Sequence, residues 1–119
     1  MILAPRALGV VMLVAACGAA AALAGSASSA STRSIKIGDN YFVRSSGVPT
    51  VTVPVRTRVT WRWTGESAHD VRVSSGPVKF HSKVQTEGTY SRSMTRRGTY
   101  RIFCEIHGAK DQSMVLRVQ

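Results

Sequence analysis

Acidic residues are scarce in this 119-residue chain: six Asp and Glu stand against sixteen Lys and Arg, giving a formal net charge of +10. Cysteine is scarcer still, with only Cys17 and Cys104, and histidine occurs three times, at 69, 81 and 107. Two cysteines, one of them in an apolar N-terminal run, exclude a disulfide scaffold. Three histidines exclude any site that needs a large set of imidazoles. Beyond the first 24 residues no apolar pattern repeats at helical spacing, which argues against a helical domain.

Residues 1–24 hold a single charge, Arg6, ahead of an apolar run from Ala7 through Ala24, followed by a Ser-rich tract. That layout is a secretory leader, with residues 25–33 as a linker and residues 34–119 as one domain. Three ways of processing the leader are open. "VAAC", Val14 to Cys17, suits lipidation of Cys17; "ALA" before Gly25 suits ordinary signal peptidase; and the uncleaved run is only just short of the about 20 residues needed to span a bilayer. Export places the domain in the periplasm or at the outer face of the cytoplasmic membrane, with a possible tether through its N-terminus. Cys104 then stands alone in an oxidising compartment, where a lone thiol is a liability unless a metal occupies it.

Without Arg6 the remainder still carries +9, from fifteen Lys and Arg that form no single run. No recognition-helix pattern or aromatic stacking platform accompanies them, so nucleic acid is not expected as a partner. The basic surface is either solvated or steers the protein toward acidic partners and anionic envelope polymers.

From residue 34 onward, short alternating runs are separated by turn residues. "SIKIGDNYF" (34–42), "TVTVPV" (50–55), "RVTWRW" (58–63), "HDVRVS" (69–74), "TYSRSM" (89–94), "TYRIFC" (99–104) and "SMVLRV" (113–118) each read as a strand. "TGESA", "SSGP", "TEG" and "RRG" supply the punctuation. Seven or so strands at this spacing predict an all-β sandwich or small barrel. Val59, Trp61 and Trp63 fall on one face, and Pro54 marks an edge or a bulge.

Cys104 and His107 form a C-x-x-H at a strand-to-loop transition, near enough to bind one ion but too few to hold it. His69, just after a turn at the end of another alternating run, can lie at the same pole. His81 sits in the polar stretch "PVKFHSKVQ" and reads as exposed. Two imidazoles and a thiolate make the trigonal set of a blue-copper centre, completed by one weak axial donor.

Taken in order, "DNYF", "VTWRW", "HDV" and "GTYRIFC" running into C-x-x-H resemble the cupredoxins, the plastocyanin and amicyanin branch in particular, over residues 34–119. The resemblance implies an eight-stranded Greek-key sandwich that binds one type 1 copper ion and passes single electrons. It assigns His69, Cys104 and His107 as metal ligands. The axial position departs from the family's methionine: alignment of the last strand lands on Gln112, with Met114 as the alternative. Gln112, Met114, Leu116 and Val118 share one face by strand alternation. Asp70 stands where such proteins usually carry Asn, bracing the loop that bears the thiolate. A carboxylate there lowers the reduction potential unless it is protonated or paired with an Arg. Glu105 is expected on the surface, and the small residues Gly108 and Ala109 flank His107 where a redox partner would approach. The expectation is a monomeric electron carrier, not an enzyme, whose partner presents an acidic docking face. The competing class is copper storage or delivery.

Overall fold

A computed structural model of the protein describes residues 31–119. The expected leader over 1–24, Cys17 and most of the linker lie outside the described residues.

The described chain is an all-β sandwich of two four-stranded sheets. Its strands are β1 (Thr32–Gly38), β2 (Tyr41–Phe42), β3 (Thr50–Val53), β4 (Arg58–Trp63), β5 (Arg72–Ser75), β6 (Thr89–Ser93), β7 (Gly98–Phe103) and β8 (Ser113–Val118). A single helical turn, α1 (Gly108–Asp111), interrupts the run between β7 and β8. One sheet has the order β2-β1-β4-β6 and the other β3-β8-β7-β5, with β1 parallel to β4 and β3 parallel to β8. Both sheets are therefore mixed.

Alternation sets which face each strand buries. Val59, Trp61 and Trp63 of β4 are buried while Arg58 and Arg62 are exposed, and β8 repeats the pattern with Met114, Leu116 and Val118 inward. Opposing inner faces close over one cluster centred on Trp61, Tyr100, Ile37, Ile102 and Leu116. Trp61 lies 6.0 Å from the Phe80 ring and 5.9 Å from the Tyr90 ring, both tilted, the separation at which aromatic pairs add to simple burial. Every strand has its ladder partner within residues 32–118, and the core cluster runs from Ile35 to Val118. Residues 31–119 thus close both sheets and one core among themselves, at a size that supports independent folding.

Three local departures from the alternating pattern have physical causes. Pro54 follows β3 at the free edge of its sheet, where its missing N–H costs nothing: Gln119 N–H still donates to the Val53 carbonyl at 3.0 Å and Val55 N–H to the Gln119 carbonyl at 2.7 Å. β5 starts at Arg72 rather than His69, because Arg72 is the first residue paired with β7, opposite Phe103, while the segment before it turns to other partners, the Val71 N–H to the Ser82 hydroxyl at 2.9 Å. His69 itself pairs with Gln85 as an isolated bridge. α1 is four residues long, too short to show any helical periodicity in the sequence.

β7 and β8 run antiparallel in a register that pairs Ile102 with Met114 and Phe103 with Ser113. Cys104, the residue after β7, and the His69 segment before β5 therefore arrive at the same end of the sandwich. The opposite end gathers the start of β1, the β3–β4 turn, the β6–β7 turn and the end of β8.

Candidate metal centre

At the Cys104 end, three side chains from two segments turn toward one another. His69 Nδ1 lies 3.3 Å from His107 Nδ1, Cys104 Sγ lies 3.5 Å from His107 Nδ1, and Cys104 Sγ lies 4.0 Å from His69 Nδ1. The point equidistant from these three atoms is about 2.1 Å from each, close to the typical 2.0–2.1 Å for a metal–imidazole bond and 2.3 Å for a metal–thiolate bond. Among the described residues, His69, Cys104 and His107 are the group of His, Cys, Asp and Glu side chains placed to hold an ion.

Each member is held from behind. The His69 N–H and C=O both bond to Gln85, at 3.0 and 3.1 Å, and its carbonyl also accepts the Trp63 indole N–H at 3.1 Å. On the ring, Nε2 faces Asp39 Oδ1 at 3.1 Å. A carboxylate can only accept from a neutral imidazole, so Nε2 carries the proton and Nδ1 presents its lone pair to the other two donors. Asp39 is fixed in turn by the backbone N–H groups of Ser67, at 2.9 Å, and Glu66, at 3.1 Å. These amides, Ser67 first, together with His69 hold its carboxyl down at about 2. Gly65 makes the approach possible, because a Cβ there would overlap the Asp39 carboxylate. The latch therefore joins the β1–β2 turn, the β4–β5 loop and the His69 ring.

Cys104 is fully buried and continues the β7–β8 ladder by one step, its N–H bonding the Gln112 carbonyl at 3.1 Å. Its own carbonyl accepts from Gly108 N–H at 2.8 Å, closing a turn that brings His107 back over the thiol. Gly108 has φ +82°, the left-handed region that glycine adopts without steric cost. His107 is only partly buried, so one edge of its ring reaches the surface.

The same ladder places Gln112. Cys104 and Gln112 occupy one rung, so their side chains share a face, while Met114 sits two rungs deeper on that face, opposite Ile102. Gln112 is buried at 1% exposure; its Nε2 donates to the Tyr41 carbonyl at 3.2 Å, and its Oε1 has no hydrogen-bond partner. A buried amide oxygen without a partner costs about 1–3 kcal/mol unless something binds it. Met114 is equally buried, within the apolar core.

Asp70 lies behind the thiolate loop. It is completely buried, and its Oδ1 accepts the Glu105 N–H at 2.8 Å. Its Oδ2 is 3.5 Å from Arg72 Nε, which is also 3.0 Å from Glu105 Oε2. Neither contact has hydrogen-bond geometry, so the attraction is charge on charge. The Arg pairing that would offset a negative charge beside the metal is thus present. Glu105 is exposed, as is His81, whose ring stays outside the cluster and meets only the Ser82 carbonyl, at 3.2 Å. Asp39 carries no signal in the sequence beyond lying in a turn, because its contact with His69 spans thirty residues.

No protein-family model matches the chain, and no curated protein matches it in sequence. Solved structures do match in fold. A purple cupredoxin from Nitrosopumilus maritimus aligns with a TM-score of 0.59 and 23% identity over 72% of this chain and 98% of its own. A methionine-to-glutamine variant of amicyanin in its Cu(I) form aligns with a TM-score of 0.60 and 22% identity, over 74% of this chain and 82% of its own. The chain has a cupredoxin-like fold. A Cu-containing nitrite reductase from Thermus scotoductus SA-01 also aligns, with a TM-score of 0.59 and 22% identity over 72% of this chain, but the match spans only 22% of that enzyme's chain.

Proposed function

We propose that the protein is an electron carrier whose centre is a single type 1 copper ion held by His69, Cys104 and His107, with Gln112 as the weak fourth donor. The observation that carries this reading is the triangle of one sulfur and two nitrogens that already fits an ion, its His69 tautomer fixed by Asp39. When bound, copper supplies one-electron chemistry between Cu(I) and Cu(II).

Everything else is the work of the chain. The Gln85 and Trp63 bonds hold His69 in place, and the ladder bond to Gln112 holds Cys104, so the donors are arranged before any ion arrives. Burial of Cys104 keeps solvent and oxidants from the sulfur. Gln112 Oε1, the orphaned acceptor on the Cys104 rung, is favoured over Met114 as the fourth donor. An amide oxygen is harder than a thioether, favours Cu(II) and lowers the potential. The partly exposed His107 ring is the exit for the electron, and Gly108, Ala109 and the exposed Ile106 beside it leave a low, partly apolar rim for transient contact. Net charge draws in a redox protein with an acidic face, while Glu105, Lys110 and Asp111 make the rim itself mixed in sign. Export, as a periplasmic or surface-tethered monomer, is part of this proposal.

The likeness to a nitrite reductase covers too little of that enzyme to support catalysis here, and among the described residues His81 is the one histidine outside the cluster, too few to build a second copper site.

Titration of metal-free protein with Cu(II) tests the centre. One equivalent should give an intense blue thiolate absorption with narrow copper hyperfine splitting, both absent in Cys104→Ser. Tight Cu(I) binding with no blue form would instead make the protein a copper store or delivery factor.

A further inference from the structure

Charge is sorted along the long axis of the sandwich. All six acidic residues of the chain, Asp39, Glu66, Asp70, Glu87, Glu105 and Asp111, lie outside the strands, in loops or in α1, at the His69, Cys104 and His107 end. At the opposite end, backbone bonds knot four chain segments together. Ser31 C=O accepts from Arg58 N–H at 2.9 Å, Arg56 N–H donates to Met94 C=O at 2.6 Å, Met94 N–H donates to Thr57 C=O at 2.9 Å, and Val55 N–H donates to the C=O of Gln119 at 2.7 Å. These segments carry Arg33, Arg56, Arg58, Arg96, Arg97 and Arg117, every one exposed and none in an ion pair with a described residue. No carboxylate side chain accompanies them.

Two further observations single out this pole. Arg56 has φ +76°, a left-handed conformation that favours glycine, yet the turn keeps a long cationic side chain there. The chain also enters the domain at this pole: the Ser31 hydroxyl shares a 2.7 Å hydrogen bond with Thr57, and only six residues separate Ser31 from the end of the apolar run at Ala24. Six extended residues reach about 20 Å at most.

We propose that the arginine pole is a docking surface for an anionic lipid bilayer. Guanidinium groups suit phosphate because their planar fork donates bidentately and is weakly hydrated, and this pole is arginine throughout, with no lysine. The distribution orients the molecule, since the six carboxylates offset most of the nine basic side chains that the domain carries outside the pole, while the arginines of the pole have no such offset. A docked domain presents His107 away from the bilayer, where a soluble partner can reach it. An apolar leader retained at the membrane, or a lipid on Cys17, would bring the pole to the surface it binds. The proposal does not depend on which ion the centre holds.

The test is partition of the self-contained segment 31–119 between buffer and vesicles, either phosphatidylcholine alone or phosphatidylcholine with one quarter phosphatidylglycerol. Binding to the anionic vesicles should exceed binding to the neutral ones and collapse in high salt. Each arginine near an anionic surface is worth roughly a five-fold factor, so the triple variant Arg56→Glu, Arg96→Glu, Arg97→Glu, which removes three such charges and adds three repelling ones, should lose at least on the order of 100-fold. Arg62→Glu, Lys83→Glu, Lys110→Glu makes the same change in net charge away from the pole and should lose far less, with thermal unfolding checking that both variants fold. Equal losses in the two triples would reduce the effect to net charge and overturn the proposal. So would indifference to lipid charge, or capture by soluble polyphosphate without vesicle binding, which would point to an anionic polymer instead.

Discussion

Replacing Asp70 separates two roles that its carboxylate combines. In Asp70→Ala, the Glu105 N–H loses the acceptor it holds at 2.8 Å inside a fully buried site. A hydrogen bond to a charged group is worth about 1.5–3 kcal/mol, and a vacated carboxylate volume adds to the loss. Arg72 is not stranded by the change, because it keeps Glu105 Oε2 at 3.0 Å and its side chain is about one-third exposed. The cost should therefore be about 2–3 kcal/mol, below the 3–5 kcal/mol expected when a fully buried ion pair is broken. Asp70→Asn retains an acceptor for Glu105 and loses only the charge, so it should cost about 1 kcal/mol. For a domain of this size each kcal/mol moves Tm by roughly 4–8 °C, which puts the alanine variant about 10–20 °C below the parent and the asparagine variant about 5 °C below. Thermal and urea unfolding of the metal-free protein measure both, and hydrogen exchange should show the Glu105 amide unprotected in the alanine variant alone. If Asp70→Asn is as damaging as Asp70→Ala, the pairing with Arg72 rather than the hydrogen bond braces the loop, and this reasoning fails.

Three other outcomes follow from the same contacts. The Asp39 carboxyl is held at about 2, below its ordinary 3.8, so its contribution to stability is present above pH 3.8 and lost as pH falls toward 2. Asp39→Asn should flatten that acid limb in an acid-unfolding series; an unchanged slope would show that the latch adds nothing. Gly65→Ala forces a methyl group into the Asp39 carboxylate and should weaken metal binding about 10-fold or more by releasing the His69 ring, read by competition with a chelator. Gln112→Met removes an orphaned buried oxygen, so the metal-free variant should lose no more than about 1 kcal/mol in urea unfolding, and the loaded variant should have the higher reduction potential.

The sandwich was legible in the sequence because each long strand alternates cleanly: "RVTWRW" buries every second residue, and "SMVLRV" does the same. β2 was not separable from the turn before it, since two residues cannot show a period. His69, Cys104, His107 and Gln112 could be named from residue type and order. Their spacing in space could not, because it depends on a register between β7 and β8 and on the Gln85 bridge that anchors His69. Asp39 and Arg72 escaped notice for the same reason: a turn Asp and a strand Arg acquire their partners only when distant loops meet. The arginine pole is likewise a product of topology. Arg33, Arg56, Arg96 and Arg117 are scattered in sequence and share one end only because the strands that carry them alternate in direction.

Voltammetry of the copper-loaded protein reads electron transfer at His69, Cys104 and His107 itself. A carrier with a preassembled donor set should give one reversible one-electron wave at one copper per chain, stable over repeated cycles and absent in Cys104→Ser. An irreversible wave, or copper that is retained as Cu(I) and never reoxidised, would contradict electron transfer through this centre.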